Sequence, residues 1–416
     1  ISVEERKLFV ENKSNEIINL AKELVKKSKS KLVISNFNIP SYSPIGISET
    51  KEEFGLHDMI RSLNQNIKIG LSLEPEIIIY DLNSFVTAFG EQKVFSYKQF
   101  FYGDIRISLD CIPYLADELI GYVTAVLGLS KKCIVLDLDN TLWGGIVGED
   151  GFEGIKLGDD PVGRSYVEFQ HNLLALNQRG ILLAINSKNN FDDAIQVIKD
   201  HPNMVLKEDN FACVRINWND KVVNMKEISD ELNIGLDSMV FVDDDPANIE
   251  YVSSNLPEIS SIHMSAEQCH NNSRSIRSIS SFFNVLKITD EDKTRNKMYL
   301  EQRKRSELKT QAGNLDEFLK QMGISVHIKN ADDFTIPRIS QLTLKTNQFN
   351  LTTRRYQEED IRKFLQNSEK IVGCAQIQDK FGDNGITGAY IINKDNEQQW
   401  TIDTFLLSCR VIGRGI

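Results

Sequence analysis

The chain reads as an α/β protein built on a doubly wound parallel sheet, and three observations predict this. Apolar runs of strand length recur at 132–137, 181–185 and 239–243. Helical patterns near 163–179, 190–199 and 220–233 fill the intervals, which is the strand–helix alternation of a parallel sheet. Each run ends in polar residues: Asp137-Leu-Asp139-Asn-Thr141, Asn186-Ser187-Lys188 and Asp243-Asp244-Asp245. Strands that are apolar throughout are buried on both faces, and ligands bind beyond their carboxyl ends.

The elements on either side differ in character. Residues 1–30 form a charged amphipathic helical pattern, followed by strands at 32–35 and 77–81 and helices at 56–66 and 113–129. This region, 1–130, is α/β with too few strands to complete a sheet. Residues 131–287 carry the alternating pattern. Residues 288–312, a helical connector, overlap the string KITDEDKTRNKMYLEQRKRSELKT (287–310), whose charge on every face suits a solvated helix. From 313 to 416 helices near 314–322 and 334–345 surround a strand at 324–328, and strand-like runs follow at 371–377, 386–392 and 400–407. That is a separate α+β unit.

The chain of 416 residues is long enough for two or three domains. With 41% hydrophobic and 26% charged residues it has the composition of a soluble globular protein. The net charge of −11 argues against non-specific nucleic-acid binding. No apolar stretch approaches the ~18 residues a membrane span needs. Six scattered cysteines without zinc-like spacing favour a reducing, cytoplasmic setting and small core thiols. The opening residue, Ile1, is what a fragment of a longer chain would show.

The polar strand ends carry the chemistry. Asp137 and Asp139 on one strand end repel each other unless a cation or a shared proton relieves them. Asn186 and Ser187, just before a helix, are small groups suited to phosphate oxygens. Lys221 opens a helix, a position the macrodipole disfavours for a cation. Asp243 and Asp244 end the third strand, while Asp245 before Pro246 reads as a helix cap. Taken singly, each has an ordinary structural reading: a capped strand end, a loop opening, a surface lysine. Taken in order they describe a site where Mg²⁺ relieves the acids, Lys221 balances the remaining charge, one carboxylate attacks phosphorus and another moves a proton. Thr141 and Asn186 lie 45 positions apart, which leaves room for a flap over 143–157 but for no cap domain. A site so open favours a large or carrier-delivered substrate.

This arrangement resembles the haloacid dehalogenase (HAD) superfamily, whose fold is a Rossmann-like doubly wound parallel sheet. The resemblance implies that Asp137 is the nucleophile and Asp139 the general acid/base. It further implies that Thr141, Asn186 and Ser187 bind phosphate, that Lys221 stabilises the intermediate, and that Asp137, Asp139, Asp243 and Asp244 hold Mg²⁺, Asp139 through its carbonyl. Longer strings are similar to the FkbH-like family, HAD subfamily IIIC: DLDNTLWGGIVGEDG (137–151), FVDDDPANIE (241–250), TNQFNLTTRRY (346–356), DKFGDNGITG (379–388) and DTFLLSCRVIGRG (403–415). The likeness extends from about Asp104 to the last residue.

That resemblance implies a linked pair of reactions. A phosphoglyceryl group from 1,3-bisphosphoglycerate is loaded onto an enzyme thiol, dephosphorylated, and passed to acyl carrier protein on its phosphopantetheine arm. Cys409, beside Arg410, is the candidate thiol; a buried core cysteine is its alternative reading. Arg410, Gly413 and Gly415 resemble the R-x-x-G-x-G turn of GNAT-type acetyltransferases, which cradles coenzyme A or pantetheine pyrophosphate. On this reading 313–416 is a GNAT-like domain truncated at its C-terminus, and 1–130 is a partial SGNH-hydrolase-like region without a catalytic motif. Arg354 and Arg355 are further candidates for a phosphate or carrier contact, or a solvated loop. Two other functions fit the residues: a stand-alone phosphatase on a carrier-bound or other phosphoester, and a non-catalytic carrier-protein or coenzyme A binding module.

Overall fold

The structure is a computed structural model that describes residues 2–28, 30–265, 270, 272–286, 288, 290–311, 315–346, 349–396, 398–408 and 411. The chain divides into two compact units: Ile1–Ser130 with Asn284–Lys287, and Lys131–Phe283 with Ile288–Ile416. In the first unit β1 (Leu32–Ser35) and β2 (Ile77–Tyr80) form a two-stranded parallel sheet, with Leu32 opposite Ile77. Helices Val3–Ser28 and Leu56–Leu71 bury Ala21, Ile67 and Leu71 against Ile77. Tyr80, Phe85, Val94 and Cys111 make a second small core.

The second unit contains the parallel sheet. Its strands are β3 (Cys133–Leu136), β4 (Leu182–Ser187), β5 (Phe211–Ile216), β6 (Met239–Asp243) and β7 (Ser260–His263), in the order β5-β4-β3-β6-β7. Alternation along the fully buried β3 sends Ile134 and Leu136 to one face, and Cys133 and Val135 to the other. The first face is covered by the helices Pro161–Gln178 and Phe191–Asp200, through Phe169, Leu173 and Val197. The second is covered by Lys221–Leu232 and Pro246–Asn255, through Met225, Ile228 and Val252. The chain builds outward from β3 to β5 and then crosses to β6, so the strand order reverses between β3 and β6. That reversal opens a crevice at the carboxyl edge. The predicted strands at 132–137, 181–185 and 239–243 lie within one or two residues of β3, β4 and β6. β5 and β7 are additional strands.

The remainder of this unit holds a four-stranded antiparallel sheet, order β11-β10-β9-β8: β8 (Ser325–Asn330), β9 (Lys370–Asp379), β10 (Gly382–Lys394) and β11 (Trp400–Leu407). Helices Ile336–Lys345 and Glu358–Leu365 pack on it through Ile339, Leu342 and Ile361. Between the two sheets runs the helix Asp290–Gln311, and here the solvated-connector expectation is corrected. Arg303 donates to Glu208 at 3.1 Å and Arg295 to the Gly180 carbonyl at 2.9 Å, both on the parallel-sheet side. Arg305, 3% exposed, donates to both oxygens of Asp379 at 2.8 and 2.9 Å on the antiparallel side. The charges that suggested solvation are partly spent on buried partners. Among the described residues no helix is long and apolar enough to cross a membrane.

Candidate active site

The site forms where β3 and β6 end side by side. Leu136 pairs with Val242, which brings the next residues, Asp137 and Asp243, to one edge. Asp244 follows, and carboxylate oxygens of Asp137, Asp243 and Asp244 lie within 4.8 Å of one another. Lys221 closes the cluster. Its Nζ donates to Asp137 Oδ1 at 2.8 Å and to Asp243 Oδ2 at 2.5 Å. Asp220 caps the helix that Lys221 opens, accepting from the Val222 and Val223 N–H groups at 2.8 and 3.3 Å. The lysine stands against the helix dipole, and two carboxylates offset that cost.

Burial sets the electrostatics. Asp137 is pushed up to about 6, chiefly by burial; Lys221 opposes the shift and Asp243 adds to it. Asp244 also rises to about 6, through burial and then the negative charges of Asp137 and Asp243. Burial would lower the Lys221 ammonium, but Asp137 and Asp243 outweigh it and hold it above its ordinary value. The lysine therefore stays charged, and the acids share the strain of a net negative pocket. Three carboxylates converging in this way are hard oxygen donors of the kind Mg²⁺ takes.

Asp139 is held differently. Its Oδ1 accepts from the Trp143 indole N–H at 2.8 Å and the Val147 N–H at 3.1 Å, and its Oδ2 from Asn189 at 2.8 Å. Its carboxyl is raised, first by burial, with these three donors opposing. It stands apart from the three clustered carboxylates. Sequence reasoning gave no site role to Trp143, which lies inside the 137–151 string, or to Asn189, one residue past the quoted Asn186-Ser187-Lys188. Ser187, 1% exposed, interacts with Asp137. Thr141 is fully buried, and its hydroxyl has no hydrogen-bond partner.

Asn186 differs from the expectation. Fully buried, it donates to the Lys221 carbonyl at 2.9 Å and accepts from Asn224 at 3.0 Å. Its amide braces the start of the lysine's helix from below. Asp245 caps its helix through the Ala247 N–H at 2.9 Å. The flap is small: Gly144 bridges to Lys156 around a single helical turn, Val147–Asp150. Arg354 pairs with Asp403, and Arg355 donates to the Leu344 carbonyl. Cys409, Arg410, Gly413 and Gly415 lie outside the described residues.

With this geometry in view, one solved structure is informative. The chain is similar to the N-terminal part of the protein BF1531 from Bacteroides fragilis, which contains a phosphatase domain and was crystallised in complex with Mg. The two are 28% identical with a TM-score of 0.61, over 68% of this chain and 76% of that one. The fold is HAD phosphatase-like. A second similarity, to an uncharacterized protein from Corynebacterium glutamicum, has a TM-score of 0.26 at 12% identity, over 38% of this chain and 97% of that one. It is too low to bear on the fold. No family model and no curated protein matches the chain.

Proposed function

We propose that the protein is a Mg²⁺-dependent HAD-type phosphatase acting through an aspartyl-phosphate on Asp137. One observation carries the reading: Lys221 joins Asp137 and Asp243 while Asp244 completes a three-carboxylate cluster at the switch point of a parallel sheet. The similarity to a phosphatase domain crystallised with Mg supports it. Asp137, Asp243 and Asp244 would hold Mg²⁺, with the Asp139 carbonyl as a further ligand. Bound there, the ion would neutralise charge on the phosphoryl oxygens. The Asp137 carboxylate attacks phosphorus, and Asp139 gives a proton to the departing oxygen. Asp139 then takes a proton from the water that hydrolyses the aspartyl-phosphate. Its raised affinity for protons suits both tasks, and Trp143 and Asn189 fix its direction. Lys221 balances the charge gathering on Asp137, and the Ser187 and Thr141 hydroxyls are the phosphate donors. Phosphate release from p-nitrophenyl phosphate should require Mg²⁺ and fall to background in Asp137→Asn. Full activity in that variant would refute the assignment.

The finer reading is that this site dephosphorylates a phosphoglyceryl group taken from 1,3-bisphosphoglycerate and carried on Cys409, before transfer to acyl carrier protein in the cytoplasm. Its support is the likeness of the strings at 137–151, 346–356, 379–388 and 403–415 to the FkbH-like family, together with the small flap. In that reading Arg410, Gly413 and Gly415 hold pantetheine on a GNAT-like domain, and 1–130 is SGNH-like. Incubation with 1,3-bisphosphoglycerate followed by intact-protein mass analysis tests it. No acyl adduct on the wild type, or an adduct that persists in Cys409→Ser, would exclude the Cys409 route.

A further inference from the structure

We propose that His263 is a positioning residue of the metal site, clamping the peptide that joins Asp244 to Asp245 so that Asp243 and Asp244 present their carboxylates together. The inference rests on the reading of these acids as Mg²⁺ ligands. Asp244 stands alone between two elements: β6 ends at Asp243, and the next helix opens at Pro246. Among the described residues no backbone N–H donates to its carbonyl. The His263 ring does so instead, through Nε2 at 2.8 Å. A carbonyl oxygen only accepts, so Nε2 carries the hydrogen.

The other edge of the same peptide is also held. The Asp245 N–H donates to Asp243 Oδ1 at 2.9 Å. A trans peptide is planar, with its C=O and N–H on opposite edges, so a bond on each edge fixes how it turns between the Cα atoms of Asp244 and Asp245. That orientation decides two things. It aims the Asp244 side chain, and it supplies one of the donors that orient Asp243. Asn248 adds a bond to Asp243 Oδ1 at 3.2 Å, and Lys221 holds Oδ2 at 2.5 Å. Without His263 the peptide is free to turn, and Asp244 loses its direction while Asp243 loses the Asp245 donor. One histidine thus bears on two of the three clustered carboxylates.

The place of His263 in the sheet makes the contact possible. β7 runs parallel to β6 with His263 opposite Asp243, and the Met264 N–H donates to the Asp243 carbonyl at 2.9 Å. The end of β7 therefore takes the carbonyls of Asp243 and Asp244 in turn, one by backbone and one by side chain. Packing contributes little to an exposed ring, and the Asp244 carbonyl is its only hydrogen-bond partner among the described residues. Partners that orient a metal's ligands from behind typically tune its affinity by about 10- to 100-fold.

The test reads the metal and the peptide separately from turnover. Wild type, His263→Phe, His263→Ala, His263→Gln and His327→Phe are titrated calorimetrically with MgCl₂, and amide hydrogen exchange is followed in EDTA. Removing the donor in His263→Phe or His263→Ala should weaken Mg²⁺ association roughly 10- to 100-fold. Exchange at the Asp245 amide should quicken in both, with β3 and β4 protected as in wild type. His263→Gln, which keeps an N–H, should restore most of both properties. His327→Phe, on the exposed strand β8, should leave both as in wild type. Release of phosphate from p-nitrophenyl phosphate by His263→Phe should recover once Mg²⁺ saturates, because the ring acts only through the metal acids. Mg²⁺ association unchanged in both donor-free variants, equally weak in His263→Gln, or absent from the wild type would overturn the inference, as would turnover that stays low at saturating Mg²⁺. Association that follows the expected pattern without phosphate release from the wild type would leave the clamp standing and refute the phosphatase reading instead.

Discussion

Replacing Lys221 with methionine keeps the length of the side chain and removes the only ammonium in contact with Asp137 and Asp243 among the described residues. At 2.8 and 2.5 Å, and an effective dielectric of about 20, each contact is worth on the order of 6 kcal/mol before desolvation. Burying three charged groups consumes most of that attraction. What stays visible on breaking such a pair is about 3–5 kcal/mol, because the carboxylates are left buried and opposed. The side chains of Lys221 and Asp243 are 2% and 0% exposed, so solvent screening relieves little. Lys221→Met should therefore melt several degrees below wild type in EDTA, and part of the loss should return with Mg²⁺. Phosphatase activity should fall at least a hundredfold even where Mg²⁺ restores stability, since the charge that balances Asp137 is gone. Thermal melts with and without Mg²⁺, paired with phosphate-release kinetics, measure both. A variant as stable in EDTA and as active as wild type would refute the reasoning.

Two further outcomes follow from other contacts. Asp137 and Asp244 rise from 3.8 to about 6 on folding, so the metal-free folded chain binds protons that the unfolded chain has released. Their contribution to stability is complete below about pH 4 and is lost as pH rises through about 6. Mg²⁺ competes with those protons, so its stabilising effect should be slight at pH 5 and full by pH 7.5; a Mg²⁺-induced melting shift independent of pH would contradict this. Arg305→Met should cost about 3–5 kcal/mol locally, because Asp379, whose side chain is fully buried, loses its guanidinium. Faster hydrogen exchange in β9 and β10, with β3 to β6 little affected, is the expected signature, and unchanged protection there would count against it.

The parallel sheet was legible where its strands are buried on both faces. Ile134-Val-Leu136, Leu182-Leu-Ala-Ile185 and Met239-Val-Phe-Val242 leave no other use for so many consecutive apolar residues. β5 was hidden because it mixes apolar residues with Arg215, whose guanidinium reaches Glu227 and Glu231 at 2.9 and 2.7 Å on the next helix. β7 is a polar edge strand, Ser260-Ser-Ile-His263, and carries no strand signal of its own. In the site, acids at strand ends and a lysine at a helix start could be read because their charge makes them costly anywhere else. The asparagines could not. Whether the amide of Asn186 points at a ligand or at the Lys221 carbonyl is decided by Asn224, a residue brought beside it only by the fold. Asn189, 50 positions from the Asp139 that it holds, was invisible for the same reason.

The reversal of strand order between β3 and β6 has a consequence in time. Lys221 is separated from Asp137 by 84 positions and from Asp243 by 22, so during synthesis Asp137 emerges long before either partner. Until β6 docks beside β3, Asp137 lacks Asp243 and Asp244, two of the three carboxylates of the cluster. On the phosphatase reading, a chain that has not yet added β6 lacks two of the three clustered carboxylates and should show no turnover.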